Sequence, residues 1–140
     1  MYKRQIKKHI KKKHKKAIIL GSGGASKAIV HALEKINISS FIVSRNNKKG
    51  DLKYQDLDSE IIESNHIIIN CTPLGTFPNV NECPEIPYKN ISERHICFDL
   101  IYNPNETKFL RNCKKRKAKV INGMKMLEIQ AEESWKIWNL

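Results

Sequence analysis

A glycine-rich turn near the start of the chain joins an apolar run to a helical pattern, and it constrains the fold more than any other feature. The run Ala17–Leu20 is apolar throughout, and the segment 21–24 (Gly-Ser-Gly-Gly) follows it directly. The next stretch, Ala25–Ile36, repeats apolar residues at helical spacing. A buried strand, a tight turn and a helix in that order are typical of the α/β class.

The rest of the chain continues this alternation of strand and helix patterns. Further strands are predicted at 41–43, 66–70, 96–100 and 119–121, and further helices at 56–64, 106–117 and 124–138. The segment 71–88 is rich in Pro, Asn and Gly and predicts a long loop, which inside a compact domain is usually functional. Strands that are apolar throughout indicate a parallel sheet covered on both faces. The sequence therefore predicts a Rossmann-like, doubly wound parallel sheet with helices on both faces.

The charge and cysteine patterns exclude several classes of protein. The formal net charge is +12, and the first 16 residues contain nine Lys or Arg and no acid. The apolar runs are too short for a membrane span or a signal peptide. The four cysteines are widely spaced and form no C-x-x-C pair, which argues against a zinc ribbon and a disulfide framework. We therefore expect a cytoplasmic protein with no membrane partner and no metal site.

The glycine-rich turn has the sequence context of a dinucleotide-binding loop, with the pattern G-x-G-G-x-x-x-A. Gly21 permits the tight turn, and Gly23 allows the backbone to approach a pyrophosphate. The amides of Gly24 to Ser26 then face the phosphate oxygens from a helix N-terminus. Ser26 stands where the strict fingerprint has a third glycine, so a plain strand-to-helix turn is the alternative.

The end of the second predicted strand indicates which dinucleotide would bind. An NAD site usually has Asp or Glu about 20 residues after the glycines. Here the strand at 41–43 is followed by Ser44, Arg45 and Asn46, with Lys48 close behind and no acid among them. Arg45 can bind a 2′-phosphate bidentately, with Ser44 and Asn46 as donors and Lys48 or Lys49 adding charge. This pattern favours NADP as the cofactor, and a solvated basic loop is the alternative.

Together with these two motifs, four further segments resemble the NADP-binding half of the shikimate dehydrogenases. They are NCTPLG at 70–75, DLIYNP at 99–104 with Thr107, NGMKML at 122–127, and Gln130-Ala131. They match that family's N-[AC]-T-P-x-G, D-x-x-Y-x-P-x-x-T and G-x-x-M-L-x-x-Q patterns in the right order. The resemblance implies an oxidoreductase that reduces 3-dehydroshikimate to shikimate with NADPH, in the route to chorismate and the aromatic amino acids.

The resemblance also implies a role for individual residues. Those expected at the cofactor's pyrophosphate are Gly21, Ser22, Gly23, Gly24, Ala25 and Ser26. Those expected around the rest of the cofactor are Ser44, Arg45 and Asn46 at the 2′-phosphate, Asn70 and Thr72 in the groove, and Leu100 and Gly123 at the nicotinamide. Those expected to reach the substrate are Tyr102 and Gln130. Two positions depart from the family pattern: Ser44-Arg45-Asn46 replaces N-R-T, and Lys125 stands where a second glycine is frequent.

The family's N-V-T-x-P-x-K and N-T-D-x-x-G motifs are not found in these 140 residues. Their Lys and Asp form the family's catalytic dyad, so we expect no catalytic residue in this chain. The expected partners are shikimate or 3-dehydroshikimate and a substrate-binding domain, supplied in cis or in trans. A stand-alone NADP-binding module without catalysis is the alternative function.

The same resemblance suggests a division of the chain. Residues 1–16 are expected to be the remnant of a helix that links two domains, and 17–140 to be the NADP-binding domain. A helix within 123–140, with Trp135 and Trp138 on one side, is expected to pack on the substrate-binding domain. The alternative for 1–16 is a nucleic-acid tail, which we do not expect because Tyr2 is its only aromatic residue.

Overall fold

The computed structural model describes residues 2–11, 14–45 and 50–124, and its centre is a parallel β-sheet. Within these ranges six strands stand in the order β3-β2-β1-β4-β5-β6, and all neighbouring strands are parallel. The strands are β1 Lys16–Leu20, β2 Ser39–Ser44, β3 Leu52–Lys53, β4 Ile67–Asn70, β5 Ile96–Asp99 and β6 Lys119–Ile121. The strand order reverses between β1 and β4, where doubly wound sheets bind their ligands. The predicted fold class is confirmed.

Two of the described α-helices begin at side-chain caps. The α-helices are α1 Tyr2–His9, α2 Gly24–Lys35, α3 Ser59–Ser64 and α4 Lys108–Lys115, with short 3-10 helices at Tyr54–Asp56 and Tyr88–Asn90. A carboxylate oxygen of Asp58 accepts the N–H of Ile61 at 2.9 Å, and the Thr107 hydroxyl accepts the N–H of Leu110 at 3.2 Å. These caps explain why α3 and α4 begin later than the apolar patterns predict. No helix in the described ranges is both long enough and apolar enough to cross a bilayer.

Two apolar cores lie on opposite faces of the sheet, because successive strand residues point to opposite sides. Ile18 and Leu20 pack with the α3 and α4 side chains Ile62 and Phe109. The residues of the other core include Ala17, Ile19, Ile67 and Ile69 from the sheet, Ile6 from α1, and Ile29 and Leu33 from α2. Burying each large aliphatic side chain contributes about 1.5–3 kcal/mol. The sheet is therefore a firm support for the loops at its carboxyl edge.

Helix α1 lies within the basic segment 1–16 and covers part of the sheet. Ile6 is buried in the core on that face, and the His9 ring meets the Phe98 ring edge-on with centroids 6.1 Å apart. Lys7 and Lys8 are exposed. Helix α1 is thus amphipathic, while the origin of residues 1–16 as a linker between domains stays a prediction.

Some sequence predictions concern residues beyond the described ranges. These are Asn46, Lys48, Lys49 and Gln130, together with Trp135, Trp138 and the rest of the helix predicted at 124–138 after Met124. The loop predicted at 71–88 is present and ends in the 3-10 helix Tyr88–Asn90. Strand β3 was not predicted, since two residues are too short for an apolar pattern.

Candidate functional site

A cavity of about 360 Å³ opens at the carboxyl ends of β1, β2 and β4. It is lined by Gly21, Ser22, Gly23, Ser44, Arg45, Tyr54, Cys71, Thr72, Pro73 and Leu74. The loops after three strands of the sheet therefore meet around one space, at the point where the strand order reverses. This is the position at which α/β sheets of this type bind nucleotides.

The two ends of the glycine-rich turn have different surroundings. Gly21 has a φ of +106°, and a Cβ added there would lie 3.1 Å from Thr72 Cγ2 and 3.2 Å from the Cys71 backbone. A side chain at this position would therefore strain the backbone and press on the loop after β4. A Cβ added at Gly23 or Gly24 would meet no atom within 4 Å. The backbone of these two glycines is thus uncovered, as a phosphate-binding turn requires.

The N-terminus of α2 offers backbone donors to this open space. Its N-cap is Gly23, which has no side chain to accept the first amides of the helix. Ser26 donates both its N–H, at 3.1 Å, and its hydroxyl, at 2.5 Å, to the Gly23 carbonyl. The first N–H groups of an α-helix have no intrahelical partner, which leaves Gly24 and Ala25 as donors toward a ligand. No acidic residue stands in this first turn to compete with an anion.

At the end of β2, Arg45 is exposed and lines the cavity, whereas Ser44 is buried. A Cβ on Gly50 would lie 2.6 Å from the Ser44 hydroxyl oxygen, so the returning chain packs closely on this serine. The first acid after β2 is Asp51, and its carboxylate accepts the N–H of Ile42 at 2.8 Å. That carboxylate is therefore used to close the loop on β2. Among the described residues at this strand end, Arg45 places a positive charge on the cavity lining.

A buried hydrogen-bond network joins the ends of β4 and β5. Asp99 is 1% exposed, and its carboxylate accepts the Thr107 hydroxyl at 2.6 Å, the Ile101 N–H at 3.0 Å and the Asn70 amide at 3.2 Å. Burial raises the pKa of Asp99, and these three donors partly offset that rise. The side-chain oxygen of Asn70 in turn accepts the Thr72 hydroxyl at 2.6 Å and its N–H at 3.0 Å. The network fixes the loop whose Thr72 lines the cavity.

This network separates the roles of two predicted groove residues. Thr72 lines the cavity, while Asn70 is fully buried beneath it and supports the loop through its side chain. Burial also raises the pKa of the neighbouring Cys71 thiol to about 12. Cys71 is therefore a neutral thiol at physiological pH, which fits a wall of the cavity better than a nucleophile.

Leu100 and Gly123, predicted at the nicotinamide, and Tyr102, predicted at the substrate, lie just after β5 and β6 and outside the cavity lining. The Gly123 N–H donates to the Ile101 carbonyl at 3.1 Å, and a Cβ on Gly123 would overlap the Leu100 carbonyl oxygen. Gly123 is therefore needed for the loops after β5 and β6 to touch. Leu100 is half-buried and Tyr102 is 47% exposed.

Tyr54 belongs to the cavity wall and was not predicted from the sequence. It follows β3, whose Lys53 pairs with Ser44 at the end of β2, so the register places Tyr54 beside Arg45. A second cavity of about 600 Å³ adjoins the first, and both are lined by Arg45, Tyr54 and Leu74. Predicting Tyr54 at this site would have required predicting β3, and the two residues of that strand show no periodicity.

The chain resembles several curated shikimate dehydrogenases. A shikimate dehydrogenase (NADP(+)) of Methanococcus maripaludis is 41% identical over 139 residues, covering 89% of this chain and 49% of that protein. The Clostridium botulinum shikimate dehydrogenase (NADP(+)) is 37% identical and is matched over 94% of this chain and 54% of its own length. This chain is homologous to the C-terminal half of the shikimate dehydrogenases.

The solved structures agree with that relationship. A crystal structure of a shikimate dehydrogenase in complex with NADP+ superposes with a TM-score of 0.77 at 32% identity, covering 97% of this chain and 53% of the other. No protein-family model matches the chain. The chain spans about half the length of the shikimate dehydrogenases it matches.

Proposed function

We propose that this chain is the NADP-binding half of a shikimate dehydrogenase, which reduces 3-dehydroshikimate to shikimate. The observation that carries this proposal is the cavity in which an uncovered glycine turn, a helix N-terminus and Arg45 converge. The reaction proposed for this nucleotide site is inferred from the homology to shikimate dehydrogenases.

The residues present suit NADP better than NAD. The amides of Gly24 and Ala25 would hold the pyrophosphate, and Arg45 would hold the 2′-phosphate. An arginine that binds a phosphate bidentately contributes about 1.5–3 kcal/mol, which is on the order of ten- to a hundredfold in affinity. The ribose of NAD instead needs an acceptor, and the Asp51 carboxylate already accepts the Ile42 N–H.

The proposed division of labour follows from what each strand end supplies. When bound, NADPH supplies the hydride, and the protein supplies binding, orientation and proton transfer. In this proposal Leu100 and Gly123 lie next to the nicotinamide. Tyr102 and Gln130 contact the substrate. The acid–base pair and most of the substrate pocket come from a substrate-binding domain, joined in cis or supplied in trans. General acid–base groups typically contribute about 10²–10⁴-fold to the rate of a reaction.

Two measurements on the purified 140-residue chain test the proposal. Calorimetric titration should give a lower Kd for NADP+ than for NAD+, and equal affinities or a preference for NAD+ would overturn the cofactor assignment. NADP+-dependent oxidation of shikimate should be undetectable with this chain alone and should appear when a shikimate dehydrogenase substrate-binding domain is added. A chain that binds NADP+ and stays inactive in that mixture would instead be a nucleotide-binding module without catalysis.

A further inference from the structure

Tyr54 stands at the junction of the two cavities and is held there by local structure. It begins the 3-10 helix Tyr54–Asp56, in which its carbonyl accepts the Leu57 N–H at 3.2 Å. An Asp56 carboxylate oxygen accepts the Lys53 N–H at 2.9 Å and so fixes the backbone that enters this turn. The position of Tyr54 is thus set by β3 and by a capped turn.

The Tyr54 side chain forms part of the wall of the nucleotide cavity. The ring is half-buried, and the residue lines the cavity together with Arg45 and Cys71. Burial raises the pKa of the Tyr54 hydroxyl, the nearby Arg45 charge opposes that rise, and Cys71 adds to it. The phenol therefore keeps its proton at neutral pH and is available as a hydrogen-bond donor between two of the cavity's walls.

We propose that the Tyr54 hydroxyl is a second donor to the 2′-phosphate, next to Arg45, and so helps to select NADP over NAD. This inference rests on the proposed function, because it places a dinucleotide in this cavity. A guanidinium occupies two oxygens of a phosphate when it binds as a fork, and a third oxygen remains for another donor. Arg45 and Tyr54 directly follow the paired residues Ser44 and Lys53, and both line the same cavity.

The alternative for Tyr54 is that its ring packs on the adenine base, which would favour both dinucleotides equally. Tyr54→Phe distinguishes the two roles because it removes the hydroxyl and keeps the ring. The probes are adenosine 2′,5′-bisphosphate and adenosine 5′-monophosphate, which differ only in the 2′-phosphate. Calorimetry on the full chain should show that Tyr54→Phe binds the bisphosphate about tenfold more weakly and the monophosphate unchanged.

A matched control variant and a second substitution of Tyr54 distinguish a contact of the hydroxyl from a contact of the ring. Gln55→Ala alters the exposed neighbour in the same 3-10 helix, which lines only the second cavity, and should leave both affinities unchanged. If Tyr54→Phe leaves the bisphosphate affinity unchanged while Tyr54→Leu lowers both affinities equally, the ring packs on the base and the proposal is wrong. The thermal unfolding midpoint of each variant shows that the fold is retained.

The failure of this inference can be told apart from the failure of the proposed function. Wild-type chain that binds the bisphosphate, with Tyr54→Phe equally tight, overturns the hydroxyl contact and leaves the NADP assignment standing. Wild-type chain that binds neither nucleotide overturns the NADP assignment, and the role of Tyr54 falls with it.

Discussion

The Thr107 hydroxyl donates to the Asp99 carboxylate at 2.6 Å and at the same time accepts the Leu110 N–H at 3.2 Å. One buried side chain thus caps α4 and ties that helix to the carboxyl end of β5. Asp99 also accepts a hydrogen bond from the Asn70 amide, and Asn70 accepts one from Thr72 in the loop that lines the cavity. The D-x-x-Y-x-P-x-x-T motif therefore contains an aspartate that positions loops, which differs from the catalytic use that a carboxylate near a cofactor would suggest.

Asp99→Ala should lower the free energy of unfolding by about 3 kcal/mol, because three buried donors lose their acceptor together. Asp99→Asn should lower it less, since one acceptor oxygen remains. Both variants should also weaken NADP+ binding through the Thr72 loop. Urea unfolding and calorimetry measure the two effects. The matched control is Glu106→Ala, which removes an exposed carboxylate 3.4 Å from Lys114 and should change neither quantity measurably.

His95 gives a prediction about pH. Its ring is buried, the Ser92 N–H donates to Nδ1 at 3.1 Å, and Nε2 lies 2.7 Å from the Ile62 carbonyl oxygen. This arrangement suits the neutral ring with its proton on Nε2. Burial lowers the pKa of His95 in the folded state, and the adjacent His66 lowers it further. The unfolded chain therefore binds the proton at higher pH than the folded chain does, so stability is lost as pH falls below about 6.5.

Urea unfolding at several pH values checks the His95 prediction. The free energy of unfolding should decline between pH 7 and 5, and His95→Gln should flatten that decline while lowering stability at pH 7. His31→Gln, at an exposed position on α2, is the control and should keep the wild-type slope. An unchanged slope in His95→Gln would assign the decline to other groups.

The strands and helices predicted from the sequence share one property: their apolar residues form a pattern, continuous in the strands and periodic in the helices, because they face a core. The runs that became β1 and β4 are buried throughout, and α2 follows its apolar repeat. Helix starts were less accurate, since Asp58 and Thr107 set them through side-chain caps that periodicity does not reveal. Buried polar contacts could not be predicted from the sequence for the same reason, since periodicity does not reveal them.

The candidate site shows the same limit. Residues after β1, β2 and β4 were expected around one cofactor, and the loops after these strands line one cavity. Tyr54 was missed because its place depends on the register of a two-residue strand against β2. The burial of Asn70 and Ser44 was missed because burial at a strand end depends on chain that returns from elsewhere, such as Gly50 against Ser44.

Two glycine substitutions should separate folding from nucleotide binding. Gly21→Ala introduces a Cβ at a φ of +106° and against Thr72, so it should lower the free energy of unfolding by about 1–3 kcal/mol. Gly23→Ala meets no neighbour within 4 Å and should cost only about 0.5 kcal/mol, as an N-cap change. Its methyl group would nevertheless enter the space assigned to the pyrophosphate, so its NADP+ affinity should fall more than tenfold. A Gly23→Ala chain with wild-type affinity would show that the pyrophosphate lies elsewhere.

Arg45 provides the most direct test of the cofactor assignment. Arg45→Ala should raise the Kd for NADP+ by about ten- to a hundredfold, because a charge-assisted bidentate contact to the 2′-phosphate is lost. The Kd for NAD+ should stay the same, since its ribose carries no such phosphate. The control is Lys35→Ala, which removes the same charge from an exposed site in the last turn of α2. A general loss of positive charge would weaken NADP+ binding in both variants, whereas a specific contact weakens it only in Arg45→Ala. Repeating the titrations at higher salt strengthens the distinction, because screening reduces a diffuse attraction between exposed charges far more than a close pair.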